Sequence, residues 1–273
     1  MNHRWQRVRR RGPVAAGRSR PGRRGRTAAG AAVAAAVAVL VTGCGGDQQT
    51  ATGRTSTAEL SKLPQATTFT TLRGLPRDSA PSAETDGTVV NPAATLPVSA
   101  EPGGPPVAAL PATQLDGPTW VPVIESRPGW HRVLLPSKPN GTTGWIPQSG
   151  GRLTTARSPY LVKVETGARR LTLVRSGRKI GAWTVAVGAA KTPTPAGRTF
   201  LLGLLKPSDP KPSPLIMPVG AHSETLDTFG GGPGTVAFHG WADESVFGRA
   251  VTHGCVRVPD DALTRLSKVP LGT

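Results

Sequence analysis

Residues 158–188, SPYLVKVETGARRLTLVRSGRKIGAWTVAVG, restrict the fold more than any other stretch. Their apolar and β-branched residues fall in three short runs with no helical period. Turn residues separate the runs at Thr166–Ala168 and Ser176–Arg178, and each turn carries a glycine. Three successive strands joined by tight turns pair antiparallel, so the region around them must be mainly β. GRTFLLGLL, residues 197–205, reads as another strand, and PSDPKPSP, residues 207–214, as a proline-broken loop on a rim. PDDALTRLSK, residues 259–268, reads as the one helix: proline at its first position, acids in its first turn, lysine near its end. Residues 158–273 are therefore expected to form a mainly antiparallel sandwich with a short helix.

The chemistry concentrates in TVAFHGWADESVFGRAVTHGCVRV, residues 235–258. It holds His239, His253 and Cys255, the only cysteine besides Cys44. A cysteine is a nucleophile as its thiolate, and a free thiol titrates near about 8.5. A neighbouring imidazole can lower that value and later return the proton to a leaving amine. TVAFHG and THGCVRV both read as strands, which puts His253, Cys255 and Arg257 on one face. Gly254 lets a ligand approach the backbone. Arg257 would favour a thiolate or a substrate carboxylate. Two plainer readings compete: a small buried hydrophobic cysteine, and a zinc site built from His222, His239, His253 and Cys255, whose spacings follow no common zinc pattern.

FHG followed by THGCVR resembles the active-site motif of the YkuD-type L,D-transpeptidases, from about Pro159 to Thr273. TPTPAGRTF (192–200), AHSETLDTFGGGPGTVAFHG (221–240) and VPLGT (269–273) extend the resemblance. It implies a YkuD-type β-sandwich in which Cys255 is the acylated nucleophile and His239 the proton donor and acceptor. His253 would line the site, and backbone N–H groups at Gly254 and Cys255 would form an oxyanion hole. Thr252, Gly240, His222 and Ser223 join Arg257 as candidate oxyanion or substrate-binding residues. Two departures stand out: Trp241 follows Gly240 where relatives often have Thr or Ser, and the chain stops at Thr273 where relatives usually continue into a last strand.

Residues 1–43 read as an export signal: a basic n-region, then TAAGAAVAAAVAVLV, too short to span a membrane comfortably. VTGC, residues 41–44, resembles a bacterial lipobox, which would lipidate Cys44 and leave Cys255 as the only thiol. Residues 44–106 are rich in Thr, Ala, Pro, Ser and Gly and are expected to be a disordered tether, with TTFTTLRGLP (67–76) a candidate ordered piece. Residues 107–152 alternate apolar and polar residues and give strands at about 119–125, 130–135 and 143–147. Their GWHRVLLP and GTTGWIP segments resemble a small SH3-like β-barrel. Trp120, Trp130 and Trp145 would then either bind wall peptide or form its core.

The formal net charge of +17 suggests a nucleic-acid partner but misleads. Ten of the 33 basic residues precede residue 27 and no acid precedes Asp47, so from Cys44 onward the balance is only +7. No nucleic-acid motif or aromatic-interleaved basic stripe is present. A mildly basic mature chain suits an anionic wall or headgroup surface. The bias toward Ala, Arg, Gly and Pro suggests an actinobacterial-like source.

The combined expectation is a monomeric lipoprotein anchored to the outer face of the cell membrane, using no metal and no cofactor. It would act on peptidoglycan stem peptides through a cysteine acyl-enzyme, forming 3→3 cross-links with release of D-Ala. An L,D-carboxypeptidase that hydrolyses the same acyl-enzyme, and a non-catalytic wall-binding lipoprotein, are the alternatives.

Overall fold

A computed structural model describes residues 5–7, 56–148 and 152–273 of the chain. Of the expected export signal only Trp5–Arg7 falls among them, and Cys44 lies outside them. The 158–188 stretch folds as anticipated into Tyr160–Glu165, Arg170–Arg175 and Arg178–Thr184, an antiparallel three-stranded sheet in that order. Ser176 and Gly177 both have positive φ, 49° and 75°, as a two-residue hairpin turn of matching twist requires. In the first turn the left-handed position is Arg169, φ 50°, rather than the nearby glycine. Leu171 and Leu173, two residues apart, point into the core.

A second sheet has the order Trp5–Arg7, Leu205–Pro207, Ile216–His222, Thr235–His239, Val256–Arg257. Its last pair is parallel, with Phe238 opposite Val256 and His239 opposite Arg257. Residues 240–255 supply the long crossover that parallel strands need. A second short parallel pair, Val187–Gly188 with Ala250–Thr252, lies along that crossover. The mainly antiparallel sandwich is thus correct, but the strands that carry the expected chemistry are the parallel exception. The helix runs Asp260–Leu266 with Pro259 as its N-cap, and it buries Ala262, Leu263 and Leu266 in the core beneath the sheet.

GRTFLLGLL does not form one strand. Leu201 makes an isolated bridge to Val219, and regular pairing begins only at Leu205. The segment is extended between two cores: Leu201 joins the cluster of the C-terminal sheets, while Phe200 and Leu202 join the cluster of the N-terminal module. Its period-two alternation therefore reports two buried faces.

The expected tether is instead ordered from residue 56 onward. Thr57–Leu60 forms a helical turn with a Ser56/Glu59 capping box. Thr88–Pro92, Leu96–Ser99 and Pro106–Leu110 are strands. They complete a seven-stranded sheet with Val121–Arg127, Trp130–Leu134, Thr143–Pro147 and Leu153–Arg157. Val90, Val98, Ala108 and Leu110 fill its core. These strands are four or five residues long and hold prolines, so composition hid their alternation. Trp145 is buried, whereas Trp120 and Trp130 are half-buried.

Polar contacts tie this module to the C-terminal sheets. The Arg198 guanidinium donates from Nε to Asp78 Oδ2 at 2.6 Å and from Nη2 to Asp78 Oδ1 at 2.7 Å. Asn140 closes both backbone groups of His222, accepting from its N–H and donating to its C=O, each at 2.8 Å.

Candidate active site

The parallel register determines which side chains meet. With Phe238 opposite Val256 and His239 opposite Arg257, Cys255 enters this pair beside Ala237, whose backbone hydrogen-bonds its thiol. Alternation then places His239 and Arg257 on one face of the sheet, with Phe238 and Val256 turned into the core on the other, and Cys255 directly precedes the paired residues. His239 is half-buried at the end of its strand, and Gly240 behind it is fully covered. Gly240 N–H donates to Ser213 Oγ at 2.7 Å, and Ser213 Oγ donates to Leu215 C=O at 2.6 Å. The proline-broken loop thus fixes the exit from the histidine strand.

THGCVRV is not one continuous strand. It bends at His253–Gly254, between Ala250–Thr252 and Val256–Arg257. Gly254 has φ 116°, a conformation that side chains on L-residues rarely adopt. His253 sits in the bend itself. Its exposed ring packs on Phe229, with centroids 5.1 Å apart.

Threonines brace this bend. Thr192 Oγ1 donates to Thr252 C=O at 2.8 Å, and Thr194 Oγ1 donates to Gly254 C=O at 2.9 Å. Thr252 Oγ1 donates to Cys255 C=O at 2.5 Å and accepts from Gly254 N–H at 3.2 Å. Gly254 N–H, an expected oxyanion donor, is therefore already engaged. Thr192 and Thr194 belong to the TPTP stretch, whose role the sequence alone left unassigned. A hydroxyl next to proline was the available signal, since the proline cannot donate and the hydroxyl can.

Burial disfavours the charged form of both His239 and Cys255. Burial lowers the His239 pKa; its hydrogen bond to Gly240 C=O opposes this, and the Arg257 charge adds to it. The carbonyl can only accept, so the proton of the neutral ring sits on Nδ1, 2.8 Å away, and Nε2 keeps a free lone pair. Burial pushes the Cys255 thiol up, against a hydrogen bond from the Ala237 backbone and the positive charge of Arg257. This direction is opposite to the lowering expected from an adjacent imidazole, and among the described residues no hydrogen bond joins Cys255 to His239.

Trp241, which marks a departure from the expected motif, acts as a platform. The Arg257 guanidinium lies 3.5 Å from the centre of its ring, and the His239 ring meets it edge-on at 6.0 Å.

His222 and Ser223 are not in this cluster. His222 is 1% exposed, and its Nε2 donates to Thr68 C=O at 2.7 Å beside Thr68 Oγ1 at 3.0 Å. Thr68 Oγ1 also lies 2.6 Å from Thr235 Oγ1, so the N-terminal module grips the strand that ends in His239. Ser223 accepts from Leu226 N–H and caps the loop that carries Phe229. Among the described residues no three His, Cys, Asp or Glu side chains come together as a metal site, so the zinc reading has no ligand set.

Residues 159–273 match the YkuD family model, described as the L,D-transpeptidase catalytic domain. The chain is 31% identical over 117 residues to YkuD of Bacillus subtilis, and 32% identical over 116 residues to YkuD of Bacillus licheniformis. Each alignment covers 42% of this chain, and the chain spans 63% of the length of either relative. A solved structure of an L,D-transpeptidase from Mycobacterium smegmatis aligns at 20% identity and a TM-score of 0.37, over 56% of this chain and 79% of that one.

Proposed function

We propose that the chain, whose residues 159–273 match the YkuD model of L,D-transpeptidase catalytic domains, is a cysteine acyltransferase of the cell wall. The observation that carries this is the parallel pairing that brings the Cys255 segment alongside His239, whose Nε2 keeps a lone pair. Cys255 attacks the carbonyl joining the third residue of a tetrapeptide stem, a diamino acid, to its terminal D-Ala. His239 Nε2 takes the thiol proton as the sulfur–carbon bond forms. A buried site favours this coupled transfer, because no charge has to be separated before the attack begins. The oxyanion develops beside the backbone of Cys255. His239 then returns the proton to the leaving amine of D-Ala, and the side-chain amine of a second stem takes over the acyl group to give a 3→3 cross-link.

His253 with Phe229, and Arg257 with Trp241, would form the walls of the binding groove. Lipidation at Cys44 would hold the enzyme at the outer face of the membrane, facing the wall, as a monomer.

Incubation with purified tetrapeptide muropeptides, beside a Cys255→Ala control, tests the proposal by mass spectrometry of the products. Dimers lighter by one D-Ala, absent in the control, support it. Tripeptide monomers alone would identify a carboxypeptidase. No change in either sample would leave a wall-binding protein.

A further inference from the structure

Arg257 stands beside the reacting pair with its charge unanswered. Among the described residues no carboxylate lies within salt-bridge distance of it. Its Nε is buried and has no hydrogen-bond partner among the described residues. Such a donor is costly to leave unpaired, and a whole guanidinium more so. Yet the group is held in place: Trp241 stacks beneath it at 3.5 Å, and the backbone pairs it with His239. A planar guanidinium fixed by stacking presents its fork of N–H groups in one orientation, the arrangement that matches a carboxylate.

We propose that Arg257, positioned by Trp241, binds the free α-carboxylate of the substrate's departing C-terminal residue and so restricts the enzyme to stems that end one residue past the attacked carbonyl. The substrate identity rests on the acyl-transfer reading above; capture of a carboxylate by Arg257 does not.

The order of groups along the substrate fits this assignment. A sulfur poised for attack sits roughly 3–3.5 Å from the carbonyl carbon. The carboxylate carbon of the next residue lies roughly 3–4 Å beyond that, as standard bond lengths dictate. A substrate aligned from Cys255 toward Arg257 therefore carries its carboxylate on the Arg257 side, where His239 is the register neighbour. Amidation of the C-terminus, or one extra residue, would displace the negative charge from the fork.

Binding of a tetrapeptide stem to the full chain carrying Cys255→Ala tests this without chemistry. The probes are the free acid and its C-terminal carboxamide, measured by calorimetric titration. The free acid should bind about 10- to 100-fold more tightly, as a charge-assisted bidentate contact gives. Adding Arg257→Gln should erase that preference, Arg257→Lys should restore part of it, and Trp241→Ala should reduce it while Trp241→Phe keeps it. Equal binding of acid and amide, binding of neither, or a preference that survives Arg257→Gln would overturn the assignment. Acid-selective binding that depends on Arg257, in a protein whose wild-type form produces no acyl-enzyme, would uphold it while removing the transpeptidase reading.

Discussion

Asp78→Ala is the substitution most informative about how the two modules depend on each other. The Asp78 side chain is 3% exposed and its Arg198 partner 16%, so water screens the pair little. Burial raises the Asp78 pKa, but the hydrogen bonds from Arg198 and Ala80 outweigh it and hold the carboxyl below its usual range. Two short bonds, 2.6 and 2.7 Å, join the groups in bidentate fashion. Removing the carboxylate leaves a guanidinium covered and unpaired, which costs about 3–5 kcal/mol. For a unit of this size that corresponds to a fall of roughly 6–20 °C in Tm. Urea unfolding followed by circular dichroism and by tryptophan fluorescence measures it. Both probes should report one transition at a lower midpoint, and Asp78→Ala with Arg198→Met together should be less destabilised than Asp78→Ala alone. A loss under about 1 kcal/mol, in the range of a surface pair, would refute the reasoning.

Three further outcomes follow from the site. Thr194→Val removes a hydroxyl that donates to Gly254 C=O and accepts from Gly188 N–H, both at 2.9 Å; loss of about 1–3 kcal/mol of restraint on the bend should slow Cys255 acylation by about tenfold or more in stopped-flow assays, and an unchanged rate would remove its bracing role. Gly254→Ala meets no atom closer than 3.6 Å, so its cost is the φ of 116° alone, about 1–3 kcal/mol in chemical denaturation, and a neutral result would contradict the backbone strain. His131, His222 and His239 are all lowered by burial; the unfolded chain then binds protons that the folded chain refuses, so this stability is complete above about 6.5 and is lost as pH falls toward the depressed folded values. Urea midpoints between pH 7.5 and 5 should drop, and a flat or rising profile would refute the assignment.

Hairpin geometry was legible because it is local. RSGR specifies its turn through Ser176 and Gly177, and LTLV its inward face through Leu171 and Leu173. The pairing of His239 with the Cys255 segment was also within reach, since a dozen residues separate two β-type runs. What sequence could not show was long range. The tether reading failed because strands of four or five residues with prolines in them gain their order from tertiary burial, as Val90 and Val98 show. His222 looked like a groove residue, yet Thr68, 154 positions away, claims its Nε2. The role of Trp241 depends on Arg257 lying above it, which no spacing rule reveals. The packing of His253 on Phe229 is equally hidden, because Gly254 bends a segment whose composition reads as straight strand.

The central claim is that Cys255 carries the acyl group. Intact-protein mass spectrometry after mixing with a tetrapeptide stem, followed by peptide mapping, tests it directly. The account predicts an adduct of one tripeptide acyl group on the peptide containing Cys255, equimolar free D-Ala, and neither in Cys255→Ala. Persistence of the adduct in Cys255→Ala, or release of D-Ala from that variant at the wild-type rate, would contradict it.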